Sequence, residues 1–184
     1  VEVIREAGET YGNLALGAGQ KVQVEFVSVN PTGPIHVGHA RGAVLGSTLA
    51  AVLSAADYDV TREYYVNNAG SQMDTFYHSL YARYAQALGQ DAEMPTSGYI
   101  GSYLVDMGKE LAAQFGNRFL KMPLDEAIKE LGGTGLERML AAIRTDLEAM
   151  RVQFDMWFHE NSLFNNGQVQ KCMDILHQGG HLAK

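Results

Sequence analysis

Two histidines at the start of a helical pattern are the residues of this sequence best suited to chemistry. His36 and His39 lie about one turn apart in NPTGPIHVGH, with Gly38 between them and Pro31 and Pro34 before them. A helix N-terminus has free N–H groups and a partial positive charge, so it attracts phosphate. Imidazoles donate hydrogen bonds, glycine lets a flat ligand approach the backbone, and prolines fix the loop in advance. The stretch therefore predicts a rigid phosphate-binding loop without a lysine.

This spacing of histidines also has less specific explanations. Two histidines three positions apart on a helix are commonly surface residues or residues that support a site indirectly, and a zinc pair is a further alternative. The combination of a strand, Pro-Thr-Gly-Pro, His-x-Gly-His and a long helix favours ligand binding. The other ATP-binding signature, a P-loop that ends in GK[ST], is absent from the sequence.

The elements around the loop predict a strand–helix–strand unit. A strand is indicated by the alternation in KVQVEFVSVN before the loop, and a second strand near 59–67 by the β-branched and aromatic residues of DYDVTREYYVN. A helical pattern runs between them, from His36 to about Ala56, and its abundant Ala and Gly favour close packing against a sheet. Large apolar residues repeat along it at threes and fours: Val37, Val44, Leu45, Leu49, Val52 and Leu53. In such units ligands bind at the carboxyl ends of the strands, where the loop lies.

The remainder of the chain is mostly helical in its patterns. Apolar stripes after Gly70 are typical of helix cores rather than of a cofactor site. GGTG at 132–135 has neither a lysine nor a preceding strand, which favours a turn, and GAG at 17–19 is interpreted in the same way. Strand character returns at 152–160, and helical character follows it.

Composition narrows the class of protein. A net charge of −7 over 184 residues is not typical of a self-sufficient nucleic-acid binder. No apolar run approaches the roughly 18 residues that cross a membrane, and the N-terminus does not resemble a secretory signal. The single cysteine, Cys172, excludes an internal disulfide and a cysteine zinc cluster, and its helical surroundings favour a buried, inert thiol. We expect a reducing, cytoplasmic location, with neither a membrane nor DNA as a partner.

Several stretches resemble one family of enzymes. HVGH at 36–39 is similar to the His-Ile-Gly-His signature of class I aminoacyl-tRNA synthetases and related nucleotidyltransferases. The longer stretches resemble bacterial-type arginyl-tRNA synthetases specifically: VEFVSVNPTGPIHVGHARGAVLG, DYDVTREYYVNNAGSQ, GYIGSYLVDMGKEL and FDMWFHENSL. The resemblance covers nearly the whole chain. It implies an α/β fold, namely the first half of a Rossmann-like parallel-sheet nucleotide-binding fold with a mostly helical insertion.

The resemblance implies a reaction and its nucleotide site. Arginine, ATP and tRNA(Arg) are the implied partners, and arginine is joined to the tRNA through an arginyl-adenylate. ATP is a substrate that brings Mg²⁺ with it, and no metal site formed by the protein is expected. By resemblance, His36 and His39 are the catalytic residues and contact the ATP phosphates. Pro34 and Gly38 complete the ATP-binding set.

The resemblance also implies an arginine site. Glu25 matches a family position on the guanidinium side of the substrate, and Asn30 matches one that holds the amino-acid end. Ser28 lies near both in the sequence, and Gln72 is expected to border the substrate. A guanidinium pairs best with carboxylates, which is why a strand glutamate suits this role.

The family pattern predicts the organisation of the chain. Residues 1–75 are expected to form an N-terminal linker and the first half of the catalytic domain, 76–150 a helical connective insertion, and 151–184 the re-entry into the core. The second half of the fold, with a Lys-Met-Ser-Lys loop, is expected after Lys184, since KMPL at 121–124 lacks the serine and second lysine of that loop. We therefore expect that this chain alone does not aminoacylate.

Two positions depart from the family pattern. Asn68 stands where the family usually has aspartate, and Ser102 stands where an acidic residue is common. The loss of a carboxylate near the active site leaves open a non-catalytic, synthetase-like binding module. Another class I synthetase or a His-x-Gly-His adenylyltransferase is the other alternative, although a small adenylyltransferase does not need the long helical insertion.

Overall fold

The structure is a computed structural model that describes residues 1–182. Its helices and strands follow in this order: α1 (Glu2–Ala7), β1 (Lys21–Glu25), α2 (Val37–Ala55), β2 (Asp59–Val66), α3 (Ser71–Ala87), α4 (Ser102–Phe115), α5 (Leu124–Ala149), β3 (Met156–His159), α6 (Asn161–Asn165) and α7 (Gln168–Gln178). The strand–helix–strand unit predicted around the histidine loop is thereby confirmed.

The chain divides into two units. Unit 1 comprises three segments: Val1–Val29, Ile35–Val66 and Asp146–Phe158. Unit 2 comprises Asn30–Pro34, Asn67–Thr145 and the residues from His159 on. The domain boundaries inferred from the sequence stay a prediction.

Unit 1 contains the sheet, in which β2 lies between β1 and β3. β1 and β2 are parallel, and their register runs from Lys21 opposite Asp59 to Glu25 opposite Glu63. The third strand is shorter than the predicted 152–160. The chain before it contributes to the core instead, because the ring of Phe154 lies 4.4 Å from the ring of Phe26.

Helix α2 belongs to unit 1 and packs on the sheet through its small residues. Ala43, Gly46 and Ala50 are buried, and a Cβ at Gly46 would lie 2.5 Å from Cβ of Phe26. The absence of a side chain at Gly46 therefore lets the helix approach the sheet closely, as the Ala and Gly content predicts. The large apolar residues are exposed instead: Val37, Val44, Leu45, Leu49 and Val52.

Unit 2 is built around the packing of α3, α4 and α5. Large side chains from these helices and the turn after α4 are fully buried: Phe76, Leu80, Tyr84, Leu104, Leu111, Phe119 and Leu131. Such burial removes apolar surface from water, which is the dominant favourable contribution to folding. The helical character predicted for this part of the chain is confirmed.

The GGTG stretch is helical, so its interpretation as a turn is wrong. Helix α5 continues through 132–135 without a break. A Cβ at Gly132 would lie 2.8 Å from Cβ of Tyr77, and a Cβ at Gly135 would overlap the side chain of Leu80. These glycines therefore allow α5 to approach α3. The other glycine stretch, at 17–19, does form a turn, in which the N–H of Gln20 donates to the carbonyl of Gly17 at 2.9 Å.

Helix α7 presents Cys172 to solvent. The prediction of a buried thiol is therefore wrong, because no residue of α7 is buried among the described residues. Within residues 1–182, no helix combines the length and the apolar character that crossing a membrane requires.

Candidate functional site: the loop after β1 and the start of α2

The backbone turns sharply where β1 ends. Val27 has φ +66° and Ser28 has φ +42°, a region that β-branched residues strongly avoid. The hydroxyl of Ser28 accepts from the N–H of Tyr65 at 3.0 Å and donates to the carbonyl of Phe26 at 3.5 Å. Backbone strain of this kind costs on the order of 1–3 kcal/mol per residue and is concentrated at functional sites. Ser28 therefore holds the turn, and its hydroxyl oxygen has one further acceptor lone pair.

A buried tyrosine fixes the end of this turn. The hydroxyl of Tyr64, which is fully buried, donates to the carbonyl of Val29 at 3.1 Å. Burial raises the pKa of Tyr64 to about 12. The phenol therefore stays a neutral donor at physiological pH. Tyr64 was not identified as a site residue because this contact joins positions far apart in the sequence.

The two predicted catalytic histidines cap helix α2. His36 is the N-cap residue, and its Nδ1 accepts from the N–H of Gly38 at 3.1 Å. In return, Nδ1 of His39 accepts from the N–H of His36 at 3.3 Å. The two rings stack with their centroids 3.6 Å apart. This reciprocal arrangement is a capping box made of imidazoles, and it satisfies two N–H groups that the helix start leaves without partners.

The capping box determines which ring atoms can meet a ligand. Because both Nδ1 atoms accept hydrogen bonds, both rings carry their hydrogen on Nε2. Partial burial and, second, the charge of a protonated His36 lower the pKa of His39 below its usual value. A Cβ at Gly38 would lie 2.9 Å from Cε1 of His36, so glycine leaves room for the ring. The pair therefore offers two neutral Nε2–H donors at the start of α2.

Glu25 ends β1 with an exposed side chain. Its partner in register on β2 is Glu63, which is only 8% exposed. Two carboxylates therefore occupy neighbouring positions of the sheet. The sequence places Glu63 in a strand but does not reveal its register.

Two of the predicted arginine-binding residues meet in unit 2. The side-chain amide of Asn30 donates from Nδ2 to Oε1 of Gln72, 42 positions later. Gln72 lies in the first turn of α3, and Gly70 before that helix has φ +84°, which glycine adopts readily. Oδ1 of Asn30 and Nε2 of Gln72 remain available as one acceptor and one donor.

The proline segment of unit 2 is held by a tyrosine of α4. The hydroxyl of Tyr103 donates to the carbonyl of Thr32 at 2.6 Å. Burial and, second, the charge of Tyr99 raise the pKa of Tyr103, so it remains a neutral donor. Pro31 is fully buried, whereas Pro34 is exposed. The segment is therefore fixed by these contacts in addition to the restricted backbone of its prolines.

Asn68, which departs from the family pattern, has partners at both ends of its side chain. Its Nδ2 donates to Nδ1 of His159 at 3.1 Å, and its Oδ1 accepts from the N–H of Asn161 at 3.1 Å. An aspartate has no hydrogen to donate to a neutral imidazole nitrogen. The amide therefore matches His159. Ser102, the other departure, is an exposed residue at the start of α4.

Metal ligands are not clustered in the described part of the chain. Among residues 1–182, no group of three or more His, Cys, Asp or Glu side chains is arranged to hold a metal ion. The imidazoles of His36 and His39 use their Nδ1 atoms for the helix cap.

Comparison with known families gives a specific match. The model of the family described as tRNA synthetases class I (R), catalytic domain, matches residues 3–131. The chain belongs to this family. The class I synthetase match covers β1, the histidine loop, α2, β2 and the helices of unit 2 as far as Leu131, in the first third of α5. The family resemblance identified from the sequence is thereby confirmed.

Two curated relatives of this class I synthetase chain share the same enzyme name. The arginine–tRNA ligase of Dehalococcoides mccartyi is 52% identical over 182 residues, which are 99% of this chain and 33% of that protein. An arginine–tRNA ligase of Bacillus cereus is 48% identical over 176 residues, or 96% of this chain and 32% of that protein. The chain therefore spans about a third of the length of these curated relatives.

Solved structures confirm the fold class. A crystal structure from Campylobacter jejuni, described as a candidate arginyl-tRNA synthetase, superposes with a TM-score of 0.73 and 33% identity. The superposition covers 94% of this chain and 39% of the Campylobacter jejuni chain. The Thermus thermophilus arginyl-tRNA synthetase shares the fold at 23% identity and a TM-score of 0.58, over 96% of this chain and 29% of that one. This class I synthetase chain thus has the α/β, Rossmann-like fold predicted from its sequence.

Proposed function

We propose that this chain forms part of an enzyme that attaches arginine to tRNA(Arg) with ATP. The observation that carries the proposal is the stacked pair of His36 and His39 at the start of α2. Two neutral Nε2–H donors beside a helix N-terminus suit the phosphates of a nucleotide. The names of the curated relatives supply the amino acid and the tRNA.

The proposed reaction needs no nucleophile from the protein. The carboxylate of arginine attacks the α-phosphorus of ATP, a carboxyl–phosphate bond forms, and pyrophosphate leaves. A hydroxyl of the terminal ribose of the tRNA then attacks the carbonyl carbon, and AMP leaves. His36 and His39 would stabilise the charge that grows on the phosphate oxygens, and Pro34 and Gly38 would border the nucleotide. Mg²⁺ is proposed to come with ATP, because this ion is commonly bound through substrate phosphates.

The proposed arginine contacts follow the polarity of each side chain. Oδ1 of Asn30 would accept from the α-ammonium group, and Nε2 of Gln72 would donate to the α-carboxylate. The carboxylate of Glu25 would pair with the guanidinium. Ser28 would accept one further hydrogen bond through its remaining lone pair.

The alternatives are weakened by what surrounds Asn68. A non-catalytic binding module is suggested by the missing carboxylate, but both ends of the Asn68 amide have partners. An amide whose donor and acceptor both have partners does not indicate that the site has lost its function. The relatives' shared name favours an arginine enzyme over another class I synthetase or an adenylyltransferase. Neither a membrane nor DNA is a proposed partner, and the cytoplasmic location stays a prediction.

The test is aminoacylation by the natural polypeptide that carries this chain. We expect ATP-dependent transfer of labelled arginine, but not of lysine, to tRNA(Arg). Substitution of His39 by alanine removes one donor, so we expect the rate to fall by about 10²–10³. A folded wild-type protein that transfers no arginine would refute the proposal. A His39→Ala variant with the wild-type rate would refute the role of the histidine.

A further inference from the structure

The turn after β1 is connected to β2 by two side-chain hydroxyl groups. The hydroxyl oxygen of Ser28, within the turn, accepts from the backbone N–H of Tyr65 at 3.0 Å. The hydroxyl of Tyr64, from β2, donates to the carbonyl of Val29 at 3.1 Å. Both contacts lie within unit 1. The backbone on either side of Ser28 is therefore held by groups of the neighbouring strand.

The conformation of this turn is one that its own residues disfavour. Val27 has φ +66° and Ser28 has φ +42°, and neither residue is a glycine. A β-branched side chain such as that of Val27 makes a positive φ especially unfavourable. Backbone in such a region persists only where the surrounding structure imposes it. A contact that holds Val29, the next residue, opposes the return of the turn to an unstrained conformation.

The ring of Tyr64 provides a rigid support for that contact. It stacks on Trp157 with the centroids 4.3 Å apart and an angle of 16° between the planes, and it meets Phe154 edge-on at 5.4 Å. Tyr64 is also fully buried, so its hydroxyl would lose its hydrogen bond without gaining water if the carbonyl of Val29 moved away. Leaving a buried donor without an acceptor is unfavourable. Tyr64 is therefore well suited to resist relaxation of the turn.

We propose that Tyr64 is a positioning residue for arginine binding, which acts by holding the strained turn at Val27 and Ser28. The inference rests on the proposed function, in which the hydroxyl oxygen of Ser28 accepts a hydrogen bond from arginine. When the turn relaxes, Ser28 leaves this position, and the apparent affinity for arginine falls with the fraction of molecules that remain competent. Tyr64 acts through the turn, because its hydroxyl hydrogen is used by Val29.

The binding of ATP should not depend on this turn. The stacked rings of His36 and His39, which are proposed to meet the phosphates, are held by their own reciprocal hydrogen bonds at the start of α2. A loss of the Tyr64 hydroxyl should therefore change the KM for arginine and leave the KM for ATP as it is. A general loss of structure would change both.

The experiment compares two buried tyrosines. Tyr64→Phe removes the hydroxyl and keeps the ring that packs on Trp157 and Phe154. Tyr84→Phe is the matched control, because Tyr84 is fully buried in the core of unit 2 and its hydroxyl donates to the carbonyl of Gly116. Each variant thus loses one hydrogen bond from a buried phenol to a backbone carbonyl. Both are made in the natural polypeptide that carries this chain, and kcat and the KM values for arginine and ATP are measured in tRNA arginylation.

A third substitution tests the strain itself. Glycine adopts a positive φ readily, so Val27→Gly allows the turn to keep its conformation without the support of Tyr64. The arginine KM of the double variant Val27→Gly, Tyr64→Phe should therefore return to about that of the wild type. A residue that only stabilises the fold would not be compensated by a glycine in this turn.

The expected result is specific to arginine. Tyr64→Phe should raise the KM for arginine by about fivefold, which is equivalent to about 1 kcal/mol, the net contribution of one ordinary hydrogen bond. The KM for ATP should stay within about twofold of the wild-type value, as should both KM values of Tyr84→Phe.

The other outcomes separate the inference from the proposed function. Arginylation by the wild type together with an unchanged arginine KM in Tyr64→Phe would overturn the inference alone. Equal increases in both KM values, or an increase that Val27→Gly does not reverse, would also overturn it, since they indicate a structural role. A folded wild type without arginylation would overturn the proposed function and the inference with it. If Tyr64→Phe does not fold, the double variant decides: a wild-type arginine KM supports the inference, and a raised one overturns it.

Discussion

The glycines of helix α5 allow a matched pair of substitutions with opposite expected signs. Gly132 and Gly133 are neighbours in the same helix, and replacement by alanine adds one methyl group at either. At Gly132 a Cβ would lie 2.8 Å from Cβ of Tyr77 and 2.5 Å from Cδ1 of its ring. At Gly133 nothing lies within 4 Å of the added atom. The two variants therefore differ in tertiary contact and share the change in helix propensity.

The magnitudes follow from these contacts. Alanine in place of glycine stabilises a helix interior by about 1 kcal/mol, so Gly133→Ala should raise the free energy of unfolding by that amount. Forcing an extra methyl group into a packed core costs about 1–3 kcal/mol, so Gly132→Ala should lower the free energy of unfolding by about 1 kcal/mol net. Alanine restricts the unfolded chain equally in both variants, so this contribution cancels when the two are compared. Their free energies of unfolding should therefore differ by about 2 kcal/mol.

Urea denaturation followed by circular dichroism at 222 nm measures both free energies of unfolding. The wild type and the two variants are compared under identical conditions, and equal slopes establish that the unfolded states are comparable. Gly132→Ala with a stability equal to or above that of Gly133→Ala would refute the reasoning. That result would mean that GGTG does not pack as a helix against Tyr77.

Two further predictions concern titration and the polar contacts of Asn68. The folded-state pKa of His39 is lowered, so as pH falls below about 6.5 the unfolded chain binds more protons than the folded one and stability falls. The variant His39→Gln keeps the capping box but has no side chain that titrates. Urea denaturation at pH 7.5 and at pH 5.5 should show a smaller acid-induced loss of the free energy of unfolding for His39→Gln than for the wild type. Equal losses in the two proteins would contradict the argument. Asn68→Asp removes the donor to Nδ1 of His159, so at pH 8 it should lower the free energy of unfolding by about 1–3 kcal/mol. A variant with the same free energy of unfolding as the wild type would argue against this contact.

Much of the site could be predicted from the sequence because its signals are local. The alternation of apolar and polar residues before the loop predicted β1, and the helical pattern after the loop predicted α2. The prolines, glycine and histidines between them depend on neighbours within a few residues, so their role at a helix start is readable from the sequence. The pairing of Asn30 with Gln72 also fits two residues that the family resemblance had assigned to one substrate.

Other parts of the site depended on contacts between distant positions. His159 was not identified, because its contact with Asn68 joins residues 91 positions apart. Tyr103 lies in one of the apolar stripes after Gly70 that were interpreted as helix cores, and only the structure brings its hydroxyl to the carbonyl of Thr32. No spacing in the sequence reports such a contact, since each partner looks ordinary within its own element.

The sequence by itself determined the class of fold, the position of the histidine loop between a strand and the start of a helix, and the family. These features follow from the spacing of apolar residues along the chain, from the chemistry of neighbouring residues and from the sequence motifs of the family. Only the tertiary structure decided that GGTG is helical, that α2 packs through Gly46, and that Glu63 is opposite Glu25. The physical reason is that space for a methyl group and the register of a sheet are set by residues far away in the chain.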